Sequence, residues 1–256
     1  MKTSYILATN KDLGFCQDTI LSILRLPKHD MEFLICCPET AVRPEYQEFL
    51  DKFNIKIVID KELSGSIHGF NHPYKFTDGD YICMVCDDVI FPANYLDMQD
   101  WMQSDFMKKK RFKISNTLWD AGPGLLMYGH NDKVNAPDGA VRWPISAPHL
   151  CINPAYTPYA VIPLPFLARE TVEKELQGYL FHPKIKHHFP DHWLGFYVSK
   201  LETFEPFTWR CPTIEYQINT KFSFPYDWKT NDYDMKVVAQ LAEDFMAGKQ
   251  MYVNPD

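Results

Sequence analysis

The sequence predicts an α/β fold built on a mostly parallel sheet, and three observations carry that prediction. Short apolar runs alternate with helical patterns through the N-terminal part of the chain, which implies strands joined by right-handed helical crossovers. One run, Tyr81-Ile82-Cys83-Met84-Val85-Cys86, is apolar at every position, the pattern of a strand buried on both faces. Polar groups stand just past the first four runs: Thr9 and Asn10, then Glu39, then Asp60, then the pair Asp87-Asp88. In a doubly wound sheet such strand ends converge on one cleft.

The elements follow in order. Residues 5–8 form a short apolar strand. Residues 18–26 are helical, with Ile20, Leu21, Ile23 and Leu24 on one face and Pro27 as the stop. Residues 33–37 are the second strand. Pro44 then opens a helix at a favoured early position, with Tyr46, Phe49, Leu50 and Phe53 expected on its buried side. Residues 55–59 are the third strand and 66–76 a short helix weakened by Pro73 and Gly69. The turn Thr77-Asp78-Gly79-Asp80 leads into the fourth strand at 81–86, and a helix follows at 95–102. Residues 112–117 can form a further strand. From 120 to 165 glycines and prolines interrupt any period, while Trp119, Tyr128 and Trp143 argue against full disorder, so the stretch reads as loops over the ligand end of the sheet. Helices are expected at 169–180, 191–201 and 235–246, with Asp191 as an N-cap, and short strands at 204–209 and 213–218.

At 256 residues the chain is long enough for one large core. Its 46% hydrophobic and 23% charged content is that of a globular protein, and 15% aromatic content suits either a stacking cleft or a dense core. A net charge of −7 argues against nucleic acid as a partner. The basic run Lys108-Lys109-Lys110-Arg111 reads as a solvated helix end, with membrane-surface docking the other reading. No apolar stretch is long enough to form a transmembrane segment, and the apolar run after Met1 is too short for a signal peptide. Seven cysteines at irregular positions do not form a disulfide framework, which points to a reducing, cytoplasmic location. Cys83 and Cys86 spell CxxC, but three positions apart in a strand they face opposite sides and read as core thiols.

Asp87 and Asp88 are the strongest chemical signal. Adjacent carboxylates repel, and burying them without a counter-charge is costly. A divalent cation bridging to phosphate oxygens removes that cost, whereas a solvated turn ahead of Pro92 explains the pair without chemistry. The order around them narrows the choice. Ser64-Gly65-Ser66-Ile67-His68-Gly69-Phe70-Asn71, then Gly79-Asp80-Tyr81-Ile82, then Asp87-Asp88-Val89-Ile90-Phe91-Pro92 resembles the GT-A glycosyltransferases, especially those of family 2 type. The resemblance spans roughly the first 100 residues. It departs from the family in offering a compact Asp-Asp pair in place of Asp-x-Asp, and the single Glu39 where a pair of acids is expected.

The resemblance implies a GT-A-like, Rossmann-type mostly parallel sheet with flanking helices and an irregular acceptor-side region. It implies one domain over 1–256, with a nucleotide-sugar-binding part at 1–118 and an acceptor-binding part at 119–256. Thr9, Asn10, Glu39, Asp60, Gly65, Asn71 and Asp87 would hold a nucleoside-diphosphate sugar, and Asp88 would ligate Mn²⁺ or Mg²⁺. The segment Phe189-Pro190-Asp191-His192-Trp193 resembles the family's late-helix acid, which makes Asp191 the candidate base for the acceptor hydroxyl, with a plain helix cap as the other reading. The acceptor is a carbohydrate, a lipid-linked group or a protein. A non-catalytic binding protein on the same fold is the alternative in another class. A sugar nucleotidyltransferase ranks below it, because residues 9–15 lack a Gly- and basic-rich phosphate loop.

Other residues invite chemistry too. His182, His187, His188 and His192 cluster, but Pro190 breaks the helical spacing, so they read as surface or cleft histidines before metal ligands. Asp78 and Asp80 precede a strand and so lie at its wrong end, and Asp232 and Asp234 read as a cap on the last helix. Arg142, Arg169 and Lys221 could face diphosphate.

Overall fold

The structure is a computed structural model. It describes residues 1–26, 29–61, 65–87, 89–91, 97–116, 134–135, 141–142, 165–201, 217–218 and 228–252. The strands among them are β1 (Thr3–Ala8), β2 (Met31–Cys37), β3 (Ile55–Ile59), β4 (Tyr81–Val85), β5 (Val89–Ile90), β6 (Ile114–Asn116), β7 (Val134–Asn135), β8 (Val141–Arg142), β9 (Pro165–Ala168) and β10 (Gln217–Ile218). Six of them form one sheet in the order β3-β2-β1-β4-β9-β6. The pairs β3·β2, β2·β1 and β1·β4 are parallel, while β9 runs antiparallel to both β4 and β6. The fold is therefore α/β with a mostly parallel sheet, as the sequence predicts.

The first four strands fall where the apolar runs place them. β1 and β4 are central because both faces are covered: Tyr5, Ile6, Leu7, Ile82, Cys83, Met84 and Val85 are fully buried. Removing an aliphatic side chain of this size from water stabilises by about 1.5–3 kcal/mol, so these two strands anchor the core. The Pro44 segment begins as a single 3-10 turn before the helix, and Phe53 is exposed, because the chain leaves the helix at Lys52.

Within the six-stranded sheet, the antiparallel β9 is the strand that the sequence reading misses. Pro165 is its first residue, where a missing amide is tolerated. Phe166 of β9 stacks on Tyr81 with ring centroids 5.4 Å apart. The expected strand at 204–209 and most of the 120–165 stretch lie outside the described residues.

The helices are α1 (Gln17–Leu24), α2 (Gln47–Lys52), α3 (Ser66–Tyr74), α4 (Asp97–Met102), α5 (Asp105–Lys108), α6 (Arg169–Glu175), α7 (Pro190–Leu201) and α8 (Trp228–Met246). Right-handed crossovers from β1 to β2 and β2 to β3 set α1 and α2 on one face of the sheet, and the reversal from β3 to β4 sets α3 on the other. Gly69 allows α3 to sit close: a Cβ there would lie 2.9 Å from that of Ala8, the last residue of β1.

At the amino edge, Glu32 is buried and accepts from Ser4 Oγ (2.6 Å), the Asp78 amide (2.7 Å) and Lys56 Nζ (2.9 Å). Asp78 and Asp80 lie at this edge too, paired with Lys2, as their position before β4 predicts.

Candidate active site

The strand order 3-2-1-4 reverses direction between β1 and β4, and that topological switch point is where open α/β sheets bind ligands. Here Thr9 follows β1 and Asp87 follows β4. Thr9 Oγ1 donates to Asp87 Oδ2 at 2.8 Å, and Lys11 Nζ contacts Asp87 Oδ1 at 2.9 Å. The Lys11 and Asp87 side chains are 11% and 16% exposed, so the pair is mostly shielded and still reachable from the cleft. The loop is held in shape by the Lys11 amide, which donates back to Thr9 Oγ1 at 3.0 Å. Beneath it lies Cys16, fully buried, with Sγ 3.6 Å from Thr9 Oγ1. Burial pushes the Cys16 thiol up to about 12, so it is a neutral packing group.

The next wall is built from the β1 and β2 ends. Asp12 accepts from Tyr46 Oη (2.6 Å), the Gly14 amide (2.9 Å) and Arg43 Nε (2.5 Å), tying the loop after β1 to the approach to α2. The Tyr46 hydroxyl, with the Gly14 amide and Arg43, holds the Asp12 carboxyl below its usual range. Glu39 is exposed and opens a 3-10 turn just past β2. Asn10 is exposed beside Thr9, and Asp60 is half-buried with its amide donating to Cys37 O at 2.9 Å. A cavity of about 220 Å³ lies on the α1–α2 face, lined by Leu13, Gln17, Ile20, Tyr46, Phe49 and Leu50. It opens beside this wall and includes neither Thr9 nor Asp87.

The start of α3 and the segment ahead of α7 meet each other. Gly65 adopts φ +97°, and a Cβ there would lie 2.6 Å from Lys186 O, so glycine is required on both counts. The Ile67 amide donates to that same carbonyl at 3.3 Å, and Ser66 Oγ meets His187 Nδ1 at 2.7 Å. Gly69 packs against Ala8, so α3 crosses the carboxyl end of β1. Asp191, half-buried, is in the first turn of α7. The helix begins one residue earlier than expected, at Pro190, so Asp191 stands inside the cap position.

Several expected functional residues are occupied by the protein itself. Asn71 Oδ1 accepts from the Leu180 and Phe181 amides at 2.8 and 3.1 Å, and its Nδ2 donates to Phe181 O at 2.8 Å. The side chain thus clamps the segment before α7. His182 is no cleft histidine: it is 2% exposed, its Nε2 is 3.0 Å from Met251 O, and burial lowers its pKa to about 4. Arg169 donates to Gly79 O and Thr77 Oγ1 at the amino edge, away from any diphosphate site. Asp234 is no cap either, because α8 starts at Trp228 and Asp234 is fully buried within it.

Lys11 and the Ser66–His187 contact are what sequence reasoning missed. A basic residue three places past a strand end was the available signal for Lys11. Asp88, the side chain of Arg142, and Lys221 lie outside the described residues. Among the described residues no three His, Cys, Asp or Glu side chains converge to hold a metal, and both Asp87 oxygens are engaged. The described residues therefore do not by themselves form a metal site. What they do form suits a ligand with hydroxyls and negative charge: a carboxylate for a diol, an ammonium for phosphate.

No family model and no curated protein sequence matches the chain. Solved structures do. S. aureus TarS 1-349 aligns with a TM-score of 0.52 at 15% identity over 77% of this chain and 55% of that one. The same fragment in complex with UDP-GlcNAc aligns at 0.57 and 13%, over 94% and 66%. Mannosyltransferase PcManGT from Pyrobaculum calidifontis, in complex with GDP-Man and Mn²⁺, aligns at 0.57 and 13%, over 97% and 76%. The chain spans about half the length of the first of these. The likeness is one of fold, and the fold is that of the GT-A-type glycosyltransferases.

Proposed function

We propose that the protein is a nucleotide-sugar-dependent glycosyltransferase that moves a sugar from a nucleoside-diphosphate donor to an acceptor hydroxyl. The observation that carries this reading is the Thr9–Lys11–Asp87 cluster at the switch point between β1 and β4 of a GT-A fold. The solved structures of the same fold support it, since their complexes hold UDP-GlcNAc and GDP-Man.

In this reading Thr9, Asn10, Glu39 and Asp60 line the base and ribose, and Asp87 accepts from the ribose hydroxyls. Lys11 offsets donor phosphate charge, and Gly65 lets the start of α3 approach the donor. Asn71 acts through the backbone it clamps. Asp191 takes the proton of the acceptor hydroxyl if the sugar inverts. Mn²⁺ or Mg²⁺ on Asp88 would neutralise the leaving diphosphate, in keeping with the Mn²⁺ held by PcManGT. The acceptor is a carbohydrate, lipid-linked or protein hydroxyl, and among the described residues no helix is long and apolar enough to cross a membrane.

Calorimetric titration with UDP, GDP and CDP, with and without Mn²⁺, tests the reading. Saturable binding of one nucleotide, followed by its release from the matching sugar donor in the presence of acceptors, is expected. Asp88→Ala is expected to abolish any Mn²⁺ enhancement while the fold survives. Binding without transfer or donor hydrolysis across a broad panel identifies a binding module instead, and no binding of any nucleotide refutes the reading.

A further inference from the structure

We infer that Asp234 is a positioning residue: it fixes the Lys186–His188 segment as a strut between the start of α3 on the donor side and the start of α7 on the acceptor side. Its consequence for transfer rests on the function proposed above, whereas the strut itself does not.

Asp234 is fully buried, and a carboxylate removed from water must be compensated by hydrogen bonds. Its described partners are three successive backbone amides: Lys186 to Oδ1 at 2.9 Å, His187 to Oδ2 at 2.8 Å and His188 to Oδ2 at 2.7 Å. Three consecutive amides turned toward one anion set the backbone of that segment tightly, and charge-assisted bonds of this kind are about twice as strong as neutral ones. A buried charge is a poor device for stability alone, since apolar packing often does as well, and its better use is to select one conformation.

The segment that Asp234 fixes touches both halves of the site. Lys186 O receives the Ile67 amide and fills the space where Gly65 lacks a side chain. His187 Nδ1 meets Ser66 Oγ at 2.7 Å. On the other side the chain passes through Phe189, held at φ +63°, whose carbonyl receives the Trp193 amide in the first turn of α7. Asp191 lies in that turn. Lys186 Nζ also packs over the ring of Tyr233 on α8 at 4.6 Å, so the anchor has two adjacent contact points. The spacing between Ser66 and Asp191 is thus referred to one carboxylate on the C-terminal helix.

Asp234→Asn in the full chain tests this. The amide oxygen can still accept from two of the three donors, but the amide nitrogen then faces the third. Hydrogen exchange of the amides of residues 186–188 is expected to accelerate about 10–100-fold, with that of β1, β2 and β4 unchanged. Nucleoside-diphosphate affinity is expected to stay within about threefold, while kcat for sugar transfer falls about 10–100-fold, the worth of a small misplacement, and the donor KM holds. Unchanged exchange at 186–188 overturns the strut. Faster exchange with parental kcat overturns the positioning role. A parent that binds no nucleoside diphosphate refutes the proposed function, and the exchange result then still decides the strut. Should Asp234→Asn not fold, Asp234→Glu keeps the charge, moves it by one methylene, and is judged by the same two readouts.

Discussion

Replacing Asp87 by Asn tests the contact on which the proposed site depends. The carboxylate meets Lys11 Nζ at 2.9 Å and Thr9 Oγ1 at 2.8 Å, with 16% of its side chain exposed. At an effective dielectric constant near 20 the gross attraction between the two charges is about 6 kcal/mol. Desolvation of two mostly buried ions cancels most of it, and a hydrogen bond to a charged group retains about 1.5–3 kcal/mol net. The amide preserves shape and can still accept one bond, so a loss of about 1–3 kcal/mol is expected. At about 2–4 °C per kcal/mol for a chain of this size, the melting temperature should fall by roughly 2–12 °C. Urea unfolding of the parent, Asp87→Asn, Lys11→Met and the double variant isolates the pair. A coupling energy of about 1–2 kcal/mol is expected, because in the double variant no charge is left unmatched. Nucleoside-diphosphate affinity should fall about 10–100-fold in Asp87→Asn. Coupling smaller than about 0.3 kcal/mol means the ion pair does not form in solution. Full coupling with parental nucleotide affinity would leave the pair a structural device and remove Asp87 from the donor site.

Three further outcomes can be checked alongside it. Burial pushes the Glu32 carboxyl up, but Ser4, the Asp78 amide and Lys56 outweigh it and bring it from 4.5 to about 2. The carboxylate therefore stabilises the fold above pH 4.5, and this contribution is lost as pH falls toward 2; Glu32→Gln should be less stable at neutral pH and show a flatter acid limb in denaturant melts, and parallel limbs would contradict the assignment. Gly65→Ala must place a Cβ 2.6 Å from Lys186 O at φ +97°, so a loss of about 1–3 kcal/mol is expected, and an unchanged melting curve would show that the close approach is absent. Asp191→Asn should cut sugar transfer by about 10²–10⁴-fold, with donor affinity preserved and stability moved by no more than about 1 kcal/mol; a parental transfer rate would remove Asp191 from the mechanism.

Most of the sheet was legible because local pattern and tertiary role agree. β3 was read to the residue, and β1, β2 and β4 within two residues at either end, since a fully covered parallel strand leaves a continuous apolar run. β9 was not legible: its four residues include Pro165, and its place beside β4 depends on pairing across more than 80 residues. The start of α8 was missed by seven residues, because Asn231 and the acids Asp232 and Asp234 look like a helix entrance. Asp234 lies inside the helix because its carboxylate is bound to another segment, which no local signal reveals. For the site, the strand-end positions of Thr9 and Asp87 were readable, but their contact and the part played by Lys11 required the β1–β4 register.

The polar residues separate into two groups by what their atoms already bind. Asn71 and His182 were weighed as functional residues and Asp234 as a cap, and each is buried and spends its polar atoms on the chain's own backbone. Burial explains why: a polar group enclosed by the fold must find a partner within it, so the most buried polar residues are poor candidates for binding and good candidates for shaping. Those that stay half-buried or exposed at the carboxyl edge are Thr9, Asn10, Lys11, Glu39, Asp60 and Asp191. Asp87 stands between the groups, since it is engaged internally yet by a flexible ammonium and a rotatable hydroxyl. Rotation of those two side chains can release Asp87, whereas Asp234 could release its three amides only by unmaking the segment they belong to. The first arrangement suits a site that must open to a ligand, and the second a strut that must not.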